Sequence, residues 1–371
     1  MKITIERGLL LKVLTHIQSI VERRNTIPIL SNVKLDAPGG QLSLNATDMD
    51  LDIVETVPAD VTTKGSTTAP AHTLFDIVRK LPDGAQVELD SGSGDTLKIS
   101  SGRSRFTLTC LPVEDFPVLS GGDLPHKFAL ASADLKNLID RTRFAISTEE
   151  TRYYLNGIYL HTAERKGVAV LRSVATDGHR LACVDVPLPK GAAGMPGVIV
   201  PRKAVAELRK LIDDLDGEVG ISLSDTKIRF SFEGAVLTSK LIDGTFPDYD
   251  RVIPSDNDKV LEVNTQQFRE AVDRVSAISS ERSRAVKMSL SKGNLTLSVS
   301  SPDNDTATEE IAVDYDAGNI DIGFNARYLL DIAQQIDGDE ARFNLADAAS
   351  PTLVQDKDDA SALYVLMPMR V

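Results

Sequence analysis

ITIERGLLLKVL, residues 3–14, decides the fold because the chain restates it twice more. FALASADLKNLI (128–139) and LEVNTQQFREAV (261–272) have the same form: an alternating stretch, a turn, then apolar residues at helical spacing. Leu10, Leu135 and Phe268 correspond, as do Val13, Leu138 and Ala271, and Leu14, Ile139 and Val272. Spacing of i, i+3, i+4 places these side chains on one helical face, and the alternation before it predicts a strand feeding the helix. A second helical pattern follows in each copy: PAHTLFDIVRKL (70–81), PRKAVAELRKLI (201–212) and NARYLLDIAQQI (325–336). Pro or Asn opens each, as expected near a helix N-terminus. Alternating stretches with turn residues such as APGG (37–40) and ERKG (164–167) lie between the helices and predict antiparallel strands.

The copies also share an ending, since LPVEDFP (111–117) matches LIDGTFP (241–247) with Phe116 and Phe246 in register. Polar, turn-rich linkers fall at SGGDLPH (120–126) and IPSDNDK (253–259). The expectation is an α+β chain of three repeated domains, 1–122, 126–254 and 256–371, each with two helices on antiparallel sheets.

Charge divides unevenly. The net charge is −13, yet the six stretches 7–24, 72–81, 134–146, 201–212, 265–287 and 325–336 are together net basic. The rest of the chain is therefore more acidic than its total. Helices lining one surface would make a positive track inside a negative shell, suited to a polyanion held without being read. Aromatics are 5% with no Trp, which speaks against stacking of single-stranded bases. No recognition-helix or zinc pattern offers sequence readout. No apolar run is long enough for a membrane span, and MKITIERGLLLKVL reads as structure rather than a signal peptide. Cys110 and Cys183 are expected as reduced core thiols of a cytoplasmic protein.

SVATDGHRLACV (173–184) carries an acid, a base and a guanidinium within four positions. ATDGHRL has counterparts in ATDMDL (from Ala46) and SSPDND (from Ser300), so Asp177 matches Asp48 and Asp303, where no His follows. An Asp at such a turn bonds its own backbone, which leaves His179 and Arg180 as the distinguishing residues. A His179–Asp177 dyad is the best enzymatic reading and is weak. There is no phosphate loop, HExxH or metal-spaced cysteine pair, and the glycines of SGSGD (91–95) and GAAGMPG (191–197) lack the dinucleotide order. Neither catalysis nor a cofactor or metal is expected. A standalone DNA-binding regulator remains the rival from another class.

Seven ordered stretches carry a resemblance to a known family: RNTIPILSN (24–32), SGRSRFTLTCLP (101–112), RYYLNGIYL (152–160), VATDGHRLA (174–182), VPRKAV (200–205), SKLIDGTFPDY (239–249) and YVLMPMRV (364–371). Along its whole length the chain resembles the beta subunits of bacterial DNA polymerase III, the sliding clamps. The resemblance implies a head-to-tail homodimer, a ring of six domains whose helices face duplex DNA. It implies a processivity factor that tethers the polymerase III catalytic subunit, the clamp loader, other polymerases and repair proteins through short linear motifs. Carried over by motif, the peptide pocket would use Leu155, Thr176, Gly178, His179, Arg180, Leu181, Pro247, Arg251, Val252, Val365, Leu366, Met367, Pro368, Met369 and Arg370. Aliphatic side chains would form the slot, Met would adapt to varied partners, and His179 and Arg180 would supply a polar rim. Ala349 and Pro351 depart from the family pattern in one pocket wall. The match points to Arg24, Tyr153 and Tyr154 for DNA, with Ser283 at a position that is often aromatic. Arg23, Lys203 and Arg282 join them from helix charge. Phe106, Ala277 and Ile278 would lie at the dimer interface.

Overall fold

The computed structural model describes residues 1–92, 95–117, 119, 122–279, 284–301 and 305–371. Arg282, Ser283 and Asp303 lie outside the described residues. Six α-helices occur among those described: α1 (Arg7–Ile20), α2 (Ala71–Lys80), α3 (Ser132–Asp140), α4 (Arg202–Leu211), α5 (Thr265–Ser276) and α6 (Ala326–Ala333). They are the paired helices of the threefold repeat. Leu10, Val13, Leu14, Ile17 and Ile20 form the buried stripe of α1, and Phe268, Ala271, Val272 and Val275 that of α5. Each large aliphatic side chain so buried contributes roughly 1.5–3 kcal/mol. Capping sets the starts. The Glu6 carboxylate accepts from Leu9 N at 2.9 Å, Asn264 from Gln267 N at 3.0 Å and Asn325 from Arg327 N at 3.0 Å.

The helices end earlier than the charge pattern suggests. Val21 is extended (φ −73°, ψ 117°), and the carbonyls closing α1 are taken by side chains. His72 Nε2 donates to the Val21 oxygen at 2.9 Å, and Lys203 Nζ to the Ile20 oxygen at 3.3 Å. Arg23 and Arg24 therefore follow the helix, and Arg141, Arg284, Lys287 and Arg143, which opens a short 3-10 turn, also fall outside the α-helices. The basic surplus survives in α1, α2 and α4. Asp134 and Asp140 outweigh Lys136 in α3, and α5 and α6 are balanced.

The chain packs as two compact units. The first is Met1–Ala133 with Pro189–Pro196 and Lys203–Leu241. It holds a five-stranded antiparallel sheet in the order Asp60–Thr63, Lys2–Glu6, Gln86–Asp90, Thr96–Ser101, Ser104–Thr109. It also holds an eight-stranded sheet in the order His126–Ala131, Glu218–Leu223, Lys227–Phe232, Ala235–Lys240, Leu51–Pro58, Gln41–Thr47, Asn32–Ala37, Gly65–Pro70. Its middle seam sets Leu237 opposite Ile53, so strands of the second repeat continue directly into strands of the first.

The second unit is Asp134–Leu188 with Gly197–Arg202 and Ile242–Val371. Its eight-stranded sheet runs Val198–Pro201, Gly157–Arg165, Val168–Thr176, Arg180–Pro187, Ala362–Leu366, Thr352–Asp356, Glu340–Leu345, Lys259–Asn264. Here the seam sets Leu181 opposite Val365 and joins the second repeat to the third. A four-stranded sheet, Thr306–Ala312, Asn294–Ser300, Ala285–Ser291, Ile320–Asn325, stands apart and packs under α5. Cys110 and Cys183 are free, buried thiols. Among the described residues no helix is long and apolar enough to cross a membrane.

Candidate functional site

The site begins at the turn that looked like chemistry. Asp177 Oδ1 accepts from the backbone N–H groups of His179 (3.0 Å) and Arg180 (3.1 Å), and the Thr176 hydroxyl donates to the Arg180 carbonyl at 2.7 Å. Gly178, with φ +88°, completes it, and a Cβ there would lie 2.5 Å from Arg152 Nη1. Asp177 is thus a turn-former, and no acid–base pair with His179 is assembled.

Arg180 is only 7% exposed. Its Nε donates to Asp177 at 3.1 Å, Nη1 to Asp331, and Nη2 to the Phe144 carbonyl at 2.7 Å. The guanidinium lies over the rings of Tyr328 (4.3 Å) and Phe144 (5.1 Å). This corrects the expectation of a polar rim: Arg180 is a fully engaged brace behind the turn. His179 is exposed and stacks beside Tyr328.

Beside this turn opens a cavity of about 280 Å³ lined by Arg152, Tyr154, Leu155, Thr176, Gly178, Arg180, Leu181, Pro247, Asp248, Tyr249, Val252, Val365 and Met367. Leu155, Leu181, Tyr249 and Val365 belong to a buried cluster with Val174, Cys183, Ile199 and Phe246, so the cavity floor is the outer layer of the core. Met367 extends the ladder by donating its N–H to the His179 carbonyl at 3.0 Å. Met369 N then bonds the Gly323 carbonyl at 2.8 Å, fastening the C-terminal residues on both sides.

Nine of the fifteen pocket residues expected from sequence line this cavity. Leu366 does not, because strand alternation turns it inward between Val365 and Met367, fully buried. Arg251 points to solvent and pairs with Asp248 at 2.6 Å. Pro368, Met369 and Arg370 line a different cavity of about 600 Å³ with Lys287, Asp321, Gly323, Ala348, Ala349 and Val371. Ala349 thus belongs to that second cavity, while Pro351 lines neither and gives its carbonyl to Asn257.

Arg152, Asp248 and Tyr249 line the first cavity too, without a signal in the sequence. Tyr249 stands two residues beyond Pro247 on a 3-10 turn, Tyr249–Val252, that brings both to the cavity. Arg152 is held by Glu149 (2.8 and 2.6 Å), which also keeps the Glu149 carboxyl below its ordinary range.

The expected DNA contacts divide. Arg23 and Arg24 are exposed, as is Tyr153 at 55%. Tyr154 instead turns into the cavity wall. Lys203 is committed to Asp48, Glu22 and the end of α1, so it is no free cation. Phe106 lies on the edge strand Ser104–Thr109 and is 37% exposed. Ala277 ends α5, exposed, and Ile278 beside it is half-buried.

Three α+β repeats fused through continuous antiparallel sheets, with an apolar cavity beside the Thr176–Leu181 turn, define a repeat scaffold that presents a pocket. The chain matches the DNA polymerase III beta subunit in all three parts: the N-terminal domain over residues 1–120, the central domain over 129–248 and the C-terminal domain over 250–370. It is 56% identical to the beta sliding clamp of Caulobacter vibrioides and 38% identical to that of Escherichia coli K12, with all of both chains covered in each case. Among solved structures, the Caulobacter crescentus beta sliding clamp superposes with a TM-score of 0.98 at 56% identity, covering 100% of this chain and 99% of that one. The Bartonella birtlesii clamp, bound to griselimycin, does so at 0.97 and 53% identity with full coverage of both. The chain belongs to the bacterial DNA polymerase III beta subunit family, the beta sliding clamps. It is a non-catalytic accessory subunit of the polymerase.

Proposed function

We propose that two copies of this chain close head to tail into a ring around duplex DNA, and that the cavity beside Thr176–Leu181 tethers partners by short linear motifs. The observation that carries the ring is a pair of unfinished sheets. Strand Ala235–Lys240 lies in the first unit's seam and is mostly buried, whereas its repeat counterpart Ser104–Thr109 is almost wholly exposed. Arg180–Pro187 lies in the second unit's seam and is buried to Val186, whereas its counterpart Thr306–Ala312 buries only Ile311. Each open edge is the half that the other lacks, and an unpaired edge is a template for pairing. Charge agrees: Arg103 and Arg105 precede Phe106 at one edge, and the exposed Glu310 lies on the other. Two open ends per chain, one of each kind, join in a closed dimer of six domains, with boundaries we place at 1–122, 126–254 and 256–371.

A ring is retained by linkage, so weak phosphate contacts from Arg23, Arg24 and Tyr153 suffice and permit sliding. The cavity supplies what a motif of aliphatic and aromatic side chains needs: a buried floor of Leu155, Leu181 and Val365, with Pro247, Val252 and Met367 at the mouth. The polymerase III catalytic subunit and the clamp loader are the partners proposed for it, and tethering one raises its local concentration at the primer end. Sedimentation of wild type and Phe106→Arg tests the closure. A dimer that the substitution reduces to monomers supports it; a monomeric wild type, or an unaffected dimer, contradicts it.

A further inference from the structure

Tyr249 sits at the cavity floor, 6% exposed, and its hydroxyl meets a half-buried polar network beneath. His161 Nε2 is 2.9 Å from that hydroxyl, and Arg172 Nη1 is 3.3 Å from it. The other imidazole nitrogen, Nδ1, faces the Thr162 carbonyl at 2.9 Å. A carbonyl only accepts, so Nδ1 carries the ring proton and Nε2 is the acceptor. Tyr249 therefore donates to His161 and accepts from Arg172. Arg172 is fixed in turn by the Asp185 fork at 2.7 and 2.9 Å. Above the imidazole, Tyr159 stacks at 4.5 Å, and Phe246 stacks on the other side of Tyr159 at 4.9 Å. Phe246 adjoins Pro247, and Tyr249 opens the turn that ends in Val252. One wall of the cavity, Pro247–Val252, is thus held from below by an aromatic stack and a single chain of hydrogen bonds.

We propose that the His161–Tyr249–Arg172 network positions the Pro247–Val252 wall, and that protonation of His161 releases this wall and weakens motif binding. The inference rests on the cavity being the motif site. The charged and titratable groups that face the imidazole come from every neighbouring element: Arg172 and Asp185 from their strands, Arg165 at the end of the imidazole's own strand, and Asp250, Tyr249 and Tyr159. When Nε2 gains a proton it becomes a donor. The Tyr249 oxygen then meets two donors, and its own hydrogen has no acceptor on that side. Burial, opposed by the Thr162 carbonyl, holds the imidazole below its ordinary pKa, so the neutral arrangement is the one present at neutral pH.

A synthetic peptide carrying the clamp-binding motif of the polymerase III catalytic subunit serves as the probe, with affinity measured for the full-length protein from pH 5 to 8. Leu155→Arg is the control for the site: undiminished binding by this variant, or no binding by wild type, overturns the cavity reading and the inference with it. Wild type should bind more weakly as pH falls below the ordinary histidine range. Tyr249→Phe should bind about tenfold more weakly at pH 8, as for one lost buried hydrogen bond, and show no such pH dependence. His161→Gln retains a neutral acceptor and should match wild type at pH 8 while losing the acid weakening. Tyr249→Phe binding with the wild-type affinity and pH profile, or His161→Gln keeping the acid weakening, would overturn the network's role while leaving the cavity as the site.

Discussion

Asp48 and Asp177 make the same turn in two different repeats. Asp177 Oδ1 takes the N–H groups of His179 and Arg180; Asp48 Oδ1 takes those of Asp50 (3.0 Å) and Leu51 (2.7 Å). Thr176 and Thr47 each donate to the carbonyl four residues on, and Gly178 and Met49 each adopt positive φ. The backbone is one device used twice, and what differs is its load. Behind Asp177 sits the braced Arg180 beside the cavity, while Asp48 holds Lys203 at the end of α1.

Replacing either aspartate should therefore cost similar stability but different function. Asp48→Ala and Asp177→Ala should each lose about 1–2 kcal/mol, the scale of a lost cap. Only Asp177→Ala should weaken polymerase binding, because it alone unseats Arg180. Denaturant melts paired with a binding assay check this, and equal binding losses for the two variants would contradict it.

The C-terminal residues are fastened at Met367 and Met369, while strand Ala362–Leu366 keeps its own ladder with Arg180–Val184. Deleting Met367–Val371 should remove the cavity mouth and abolish polymerase stimulation, with the dimer intact by sedimentation. Unchanged stimulation by the truncated protein would detach the cavity from partner binding.

Asp52 offers a pH signature in the first unit. Burial pushes its carboxyl up to about 6 against an ordinary 3.8, with Asn45 and Arg229 opposing. The folded state thus favours the protonated acid. The stability this contributes is full below pH ~4, where even an unfolded carboxyl is protonated, and is lost as pH rises through about 6. Asp52→Asn should stabilise the protein at pH 7 by roughly 1–3 kcal/mol, and the gain should vanish near pH 4. A gain of equal size at both pH values would show that the charge is not its source.

Arg24 and Lys203 separate free from committed cations. Arg24→Ala should flatten the salt dependence of DNA affinity by about one phosphate contact. Lys203→Ala should leave that slope unchanged and lower stability by about 1 kcal/mol, as for a lost hydrogen-bonded partner of Asp48 and Ile20. Salt titrations with short duplexes decide it, and a flattened slope for Lys203→Ala would return that residue to the DNA surface.

Much of this architecture is written plainly in the chain, and the rest fails for identifiable reasons. Helix periodicity exposes the repeat because Leu10, Leu135 and Phe268 face a core wherever their neighbours come from. The seams stay hidden, since Arg180–Pro187 reads as a buried strand whichever repeat supplies its partner. The charge pattern runs past the helix end at Arg23 and Arg24, because His72 and Lys203, which close α1, are distant in sequence. Resemblance to the family points to Leu155, Leu181, Val365 and Met367 for one pocket, and these four line a single cavity. The same resemblance names Leu366, which strand alternation turns inward away from the cavity. Sequence does not show which way a side chain turns, so it offers Tyr154 as a DNA contact and Arg180 as a rim residue. Tyr249 carries no signal of its own, because its importance depends on His161 and Arg172, on two strands far back in the chain.

Retention on DNA topology tests encirclement most directly. The protein, loaded by its clamp loader on a nicked circular plasmid, is followed through gel filtration before and after linearisation. Retention on the circle and loss from the cut molecule is the result expected of a closed ring. Equal retention on both forms would mean that the protein grips DNA, and would contradict the account.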